Sequence, residues 1–236
     1  ITSTELLLAR QMGFDLVIAH LPPEATLDAW RVYLRHIDLM VAAGVPREEA
    51  EAIVAGEIEE FQWRAQGRNY DHTVSVARLM GMPFMNIHGP LDEIGRRRVT
   101  DRVNALLAGR PAATVGDVVE ALEQFGEVAN SRQRVAIAAG EPSDPAGKVV
   151  FVHSALDVPT YAMLAAYYAH GVDTVITLRA CAAEASRLRR EGLGAWISIG
   201  HCAGDSLGFT PFLRALAEMG LEVTTISGVI PAESPE

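Results

Sequence analysis

The chain reads as an α/β fold, with mixed, largely parallel sheets covered by helices. Segments with apolar residues at helical spacing alternate with short apolar runs of strand length through most of the sequence. Three of those runs end on a histidine: Asp15-Leu-Val-Ile-Ala-His20, Pro83-Phe-Met-Asn-Ile-His88 and Ala195-Trp-Ile-Ser-Ile-Gly-His201. With 236 residues and 49% hydrophobic content, the chain can bury one sizeable α/β domain or two small lobes sharing a core.

In order, Thr4–Met12 is helical, Asp15–Ala19 is a short buried strand, and Leu21–Glu24 is a Pro-Pro turn. Leu27–Ala43 sets Trp30, Tyr33, Leu34, Ile37, Met40 and Val41 at helical spacing and stops at Gly44. Pro46 with Glu48 and Glu49 starts a helix that runs to about Trp63, and Ala65–Tyr70 is a polar loop. Asp71 or Thr73 caps a helix through Met80, and Pro83–Ile87 is the second strand. Glu93–Leu107 is helical until Gly109-Arg-Pro breaks it, and Thr114 with Asp117 signals the start of a helix over Val115–Phe125.

Arg134–Ala139 reads as a strand and Gly140–Gly147, with its two prolines, as a loop. Strands at Lys148–His153 and Val172–Thr177 then alternate with helices at Val158–His170 and Ala180–Glu191. Ala195–Ile199 is the third histidine-ended strand, Phe209–Met219 a helix and Glu222–Ile226 a last strand, before a disordered tail at Pro231–Glu236. The best boundary gives two similar lobes, 1–108 and 109–236, with a metal cleft between them and the last segments of the second returning to the first. The chain opens on Ile1 inside a helical stretch, so a native amino-terminal segment is expected to be missing.

A net charge of −10 argues against nucleic acid as a general partner, since phosphate binding needs a basic face. No apolar run approaches the ~20 residues that span a bilayer, and no signal peptide opens the chain. With two cysteines, Cys181 and Cys202, a disulfide framework is not expected and the cytoplasm is the expected compartment. No Walker loop, GxGxxG, GxSxG or HExxH pattern is present, which counts against a nucleotide-binding protein without metal.

Loops at the carboxyl ends of strands form the ligand-binding edge of α/β sheets. Two of the histidines that reach this edge place an aspartate four residues on, as His88-Gly-Pro-Leu-Asp92 and His201-Cys-Ala-Gly-Asp205. Imidazole and carboxylate together suit zinc, manganese or iron, and two carboxylates could bridge two ions. Each residue also has a plainer role: a lone histidine is often simply buried, and Asp92 or Asp205 alone could cap a helix. Cys202 reads as a small buried thiol, His36 and His170 as packing or surface residues, and Arg96-Arg-Arg98 as a solvated face, a subunit contact or an anion site. His153 ends another strand, where it either lines the cleft or packs in the core.

These motifs resemble the NIF-three-like dinuclear-metal family, also known as GTP cyclohydrolase I type 2. That family shows a strand ending in His-His-Pro, then His-Ser/Thr-x-x-Asp, and late in the chain Gly-His-x-x-x-Glu. Ile18-Ala-His20-Leu-Pro-Pro23, Ile87–Asp92 and Gly200–Asp205 follow in that order, and Gly171-Val-Asp173-Thr-Val-Ile-Thr177 is similar to a further family strand. The resemblance runs from about His20 to Val223, with a poor match over residues 25–80. It implies His20, Asp92, His201 and Asp205 as ligands of one or two divalent ions, with His88 completing the sphere or serving as the catalytic acid–base.

Leu21 stands where the family has a second histidine, and Asp205 where it has glutamate. His72 is the candidate substitute ligand, because a helix preceding a strand begins at that strand's carboxyl end; the alternative is that Asp71 caps the helix and His72 faces solvent. The resemblance further implies a ring-shaped homo-oligomer, hexameric in the family. The expected function is therefore a metal-dependent hydrolase of a small-molecule substrate, GTP-type ring opening entering only through the family. The alternative is a non-catalytic metal-binding scaffold or regulatory protein. No separate organic cofactor site is expected.

Overall fold

The computed structural model describes residues 1–21, 28–153, 159–230 and 232. The Pro-Pro turn, the helix starts expected at Leu27 and Val158, and nearly all of the tail lie outside them. Helix α1 (Ser3–Met12) opens on a capping box between Thr2 and Glu5, and strand β1 (Val17–Ala19) follows. A 3-10 turn at Ala29–Tyr33 leads into α2 (Leu34–Ala43), then come α3 (Arg47–Gln66), α4 (His72–Met80) and β2 (Phe84–Asn86). The chain continues through α5 (Gly89–Gly109), α6 (Val115–Glu123), α7 (Gly126–Ala129), β3 (Ala136–Ala139) and β4 (Val149–Val152). It ends with α8 (Tyr161–Ala169), β5 (Thr174–Thr177), α9 (Ala182–Glu191), β6 (Ala195–Ser198) and α10 (His201–Glu218). Strands and helices alternate as expected, in a mixed α/β arrangement.

β1 and β2 form a small parallel pair, with Val17 opposite Phe84 and Ala19 opposite Asn86. The main sheet has the order β3-β6-β5-β4; β4, β5 and β6 run parallel, and β3 joins β6 antiparallel with a register shift between Ile137 and Ala139. Both faces of this sheet are covered, so its strands are apolar in both phases of the period-two pattern. Val152, Val175 and Trp196 pack on one side with Met40, Val54, Met163 and Leu188 from α2, α3, α8 and α9. Phe151, Ile176 and Ile197 pack on the other with Val99, Val118 and Leu207 from α5, α6 and α10. A smaller cluster of Leu6, Ala77 and Met82 joins α1 to α4 beside β2.

Two helices begin earlier than the sequence indicates. α5 starts at Gly89, with Pro90 in its first turn, rather than at Glu93. α10 starts at His201 rather than Phe209 and runs through Pro211. Gly204, Ser206 and Gly208 weaken the local helix signal, but here their small size lets α10 cross α5 almost backbone to backbone. A Cβ on Gly208 would lie 2.1 Å from the Leu91 carbonyl oxygen, and one on Gly95 would lie 3.2 Å from the Gly208 nitrogen. Proline cannot donate to the carbonyl four residues back. That carbonyl, on Leu207, instead accepts from Arg98 Nη1 at 2.5 Å, and the same guanidinium nitrogen meets the fully buried Glu127 carboxylate at 2.7 Å.

The strand expected at Glu222–Ile226 is absent: the segment has no regular structure, and Leu221, Val223 and Ile226 are exposed. Its alternating pattern fits a strand, but a strand needs a partner, and the segment pairs with none of the described strands. Cys181 and Cys202 are free thiols, and among the described residues no helix is long and apolar enough to cross a membrane.

Candidate metal centre

Four strands deliver a histidine at or just beyond their carboxyl ends. His20 follows β1, His88 caps the start of α5 after β2, His153 follows β4, and His201 opens α10 after β6. The turn from β6 into α10 passes through Gly200 at φ +95°, a left-handed conformation that a side chain disfavours. Within each helix the histidine and the aspartate four residues on share one face. His88 Nε2 lies 3.4 Å from Asp92 Oδ2, and His201 Nε2 lies 3.1 Å from Asp205 Oδ2. The close crossing of α5 and α10 then brings the two aspartates together around His20.

His20 is the central group. Its Nδ1 lies 3.0 Å from the Ile87 carbonyl oxygen, which can only accept, so Nδ1 carries the proton and Nε2 points inward. Nε2 stands 3.2 Å from Asp92 Oδ1 and 3.6 Å from Asp205 Oδ1, while Phe209 and His88 flank the ring edge to face at 5.0 and 4.6 Å. His153 Nε2 approaches the same Asp92 oxygen to 3.8 Å. Two sets of ligand atoms converge within 4.8 Å of one another: His20, His88 and Asp92, and Asp92, His153 and Asp205.

Burial opposes charge throughout the cluster. At His20 it is outweighed by the close approach of the Asp205 and Asp92 carboxylates, which push the imidazole up to about 10. Burial would raise both carboxyls, yet the surrounding imidazoles, His20 foremost among them, hold Asp92 and Asp205 below the ordinary carboxylate range. At His88 and His153 burial prevails and keeps the imidazoles below their usual range. One imidazolium therefore faces two carboxylates, and the cluster has charge to spare for a cation.

The spacing also fits a cation. Charge-assisted N–H···O bonds are typically ~2.7–2.9 Å long, whereas two ligand atoms each ~2.1 Å from one ion at a tetrahedral angle lie about 3.4 Å apart. The five imidazole-to-carboxylate distances run from 3.1 to 3.8 Å and bracket the second value. The buried Nε2 atoms of His20 and His153 make no hydrogen bond among the described residues. The donor set fits a divalent transition ion.

The protein is similar throughout to a structure of known family, the NIF3 superfamily protein from Sphaerobacter thermophilus. The two chains are 42% identical with a TM-score of 0.91, over 97% of this chain and 84% of the other. The chain belongs to the NIF3 superfamily. No family model matches the sequence, and no curated protein does. In this NIF3 superfamily chain, His20, His88, Asp92 and Asp205 meet in the cluster and His201 joins it through Asp205. Leu21 is half exposed beside His20. His72 is exposed at the start of α4 and belongs to neither converging set, while Ser75 Oγ donates to the Asp71 carboxylate. His153 is the residue that sequence reasoning did not place in the site. Its signal was present, since it too ends an apolar run and Asp157 follows it at position four, but a histidine at a strand end reads equally well as a core residue.

Proposed function

We propose that this cluster holds one or two divalent transition cations (zinc, manganese or iron) and that the protein is a metal-dependent hydrolase of a small-molecule substrate. The observation that carries the reading is the spacing of buried imidazoles and carboxylates, longer than charge-assisted hydrogen bonds and matched to two ligand atoms on one ion. His20, Asp92, His201 and Asp205 hold the metal, with the Ile87 carbonyl fixing the His20 tautomer. A bound divalent ion would supply an acidified water, with pKa lowered from ~15.7 toward ~7, and a Lewis acid for a carbonyl, ring carbon or phosphoryl group.

The chain's own residues supply the proton handling. His88, kept neutral at neutral pH by burial, presents Nε2 beside Asp92 and accepts a proton as general base. Asp92, at 1% exposure, then faces an imidazolium whose charge it offsets. His201 is the most accessible member of the cluster, followed equally by His88 and Asp205, and the three mark the side from which a substrate enters. Exposed Leu8 and Met12 on α1 and Leu79 on α4 support assembly into a homo-oligomer.

Elemental analysis of protein purified without chelator or histidine tag tests the reading, with Asp205→Ala alongside. One or two ions per chain, lost in the variant, support the metal centre. Hydrolysis of a member of an ester, phosphate, amide and nucleotide panel, abolished by Asp92→Ala with folding intact, supports the hydrolase. No bound metal after loading overturns both, and a metal-loaded protein inert across the panel leaves the non-catalytic scaffold as the reading.

A further inference from the structure

We infer that His153 is a metal ligand on the Asp92–Asp205 side of the cluster, supplying an imidazole where Leu21, beside His20, offers no donor atom; the inference rests on the metal reading above. His153 is 3% exposed, at the carboxyl end of β4 and beneath α5, the helix that carries Asp92. A histidine buried for packing has its ring nitrogens satisfied, because leaving one bare costs ~1–3 kcal/mol. Here Nε2 makes no hydrogen bond among the described residues. It instead faces Asp92 Oδ1 at 3.8 Å, beyond hydrogen-bonding reach but within the span of two atoms on one ion.

The convergence is specific. His153, Asp92 and Asp205 each offer one atom, all within 4.8 Å, and come from three separate elements: the end of β4, the first turn of α5 and the second turn of α10. Phe151, at a ring distance of 5.4 Å, packs beside the imidazole and leaves its inward nitrogen to the carboxylates. Asp92 is common to this set and to the set containing His20 and His88, so His153 extends the donor array through Asp92.

The test uses the full chain stripped of metal and titrated with Co2+, followed by visible absorption, with zinc per chain measured after loading. His153→Phe and His153→Asn are compared with the unaltered protein after circular dichroism confirms folding. Removing even an outer partner of a metal ligand typically costs ~10–100-fold in affinity, so at least a roughly tenfold loss, or the loss of one ion, is expected in both variants. The Co2+ spectrum of any metal that remains should change. Variants that bind with unaltered affinity, stoichiometry and spectrum make His153 a packing residue and overturn the assignment alone. Failure of the unaltered protein to bind Co2+ or Zn2+ overturns the metal reading, and this assignment with it. Nitrogen NMR on the unaltered chain covers the case in which a variant does not fold: zinc must shift the His153 Nε2 resonance, and an unmoved resonance at zinc saturation refutes ligation.

Discussion

Three helical glycines should respond to alanine in different ways, because one of them lies where the helices that carry Asp92 and Asp205 cross. In a helix interior alanine is favoured over glycine by about 1 kcal/mol. Gly56 in α3 has nothing within 4 Å of an added Cβ, so Gly56→Ala should realise that gain. At Gly95 the new carbon would meet the Gly208 nitrogen at 3.2 Å and the Gly204 carbonyl oxygen at 3.4 Å. A shift of a few tenths of an ångström relieves this, and the net effect should be near zero. At Gly208 the added carbon would sit 2.1 Å from the Leu91 carbonyl oxygen and 2.7 Å from its carbon, against the 3.4 Å at which contacts become ordinary.

Backbone of α5 cannot rotate away as a side chain would, so α5 and α10 must part by roughly 1 Å. Overpacking costs about 1–3 kcal/mol, and a clash with backbone belongs at the upper end, which leaves a net loss of roughly 2 kcal/mol after the helix gain. For a chain of this size that is about 4–8 °C in Tm. Leu91 directly precedes Asp92, and Asp205 lies within one turn of Gly208, so the same displacement separates the carboxylates that flank His20. Thermal unfolding of the three variants, with Co2+ titration of each, reads both effects. The expected order of stability is Gly56→Ala, then Gly95→Ala, then Gly208→Ala, with metal affinity reduced chiefly in the last. A Gly208→Ala protein as stable and as tight for Co2+ as the unaltered chain would refute the crossing as the device that positions the aspartates.

Arg98→Met should destabilise the fold by about 3–5 kcal/mol, since it strands the buried Glu127 carboxylate and leaves the Leu207 carbonyl freed by Pro211 without its donor; denaturant unfolding measures this, and Glu127→Gln in the same background should recover part of the loss. The raised His20 imidazole stabilises the metal-free fold fully below its unfolded value near ~6.5, and that contribution should fade as pH rises through about 10, a decline absent in His20→Gln. Metal displaces that proton, so between these limits zinc affinity should rise with pH and about one proton per ion should appear in a weakly buffered titration, with no release refuting the displacement.

What the sequence made legible was mostly periodic or positional. Trp196, Ile197, Val175 and Ile176 announce buried strands because both faces of the main sheet are covered. His20, His88 and His201 announce a site because parallel strands align their carboxyl ends. The misreadings share a cause. Gly204 and Gly208 look like helix breakers until α5 lies against them, and Glu222–Ile226 looks like a strand but pairs with none of the described strands. Both outcomes are decided by a neighbour distant in sequence. His153 was ambiguous for the same reason, since only the position of α5 over β4 sets Asp92 beside it.

Asp92 shows why fold and site cannot be separated in this chain. Three imidazoles, on His20, His88 and His153, face its two oxygens, and they come from the ends of three different strands. A carboxylate at 1% exposure survives in ionised form only if positive charge stands close by. With no metal bound, His20 provides it by holding a proton well above the ordinary range of histidine, and Asp205 shares the same imidazolium. A divalent ion at the same point, taking the place of the His20 proton, would satisfy both carboxylates and the unpartnered Nε2 atoms of His20 and His153 at once, which one proton cannot do. The close glycine crossing of α5 and α10 is what sets the two carboxylates near enough to share that charge, so packing in the core also shapes the candidate centre.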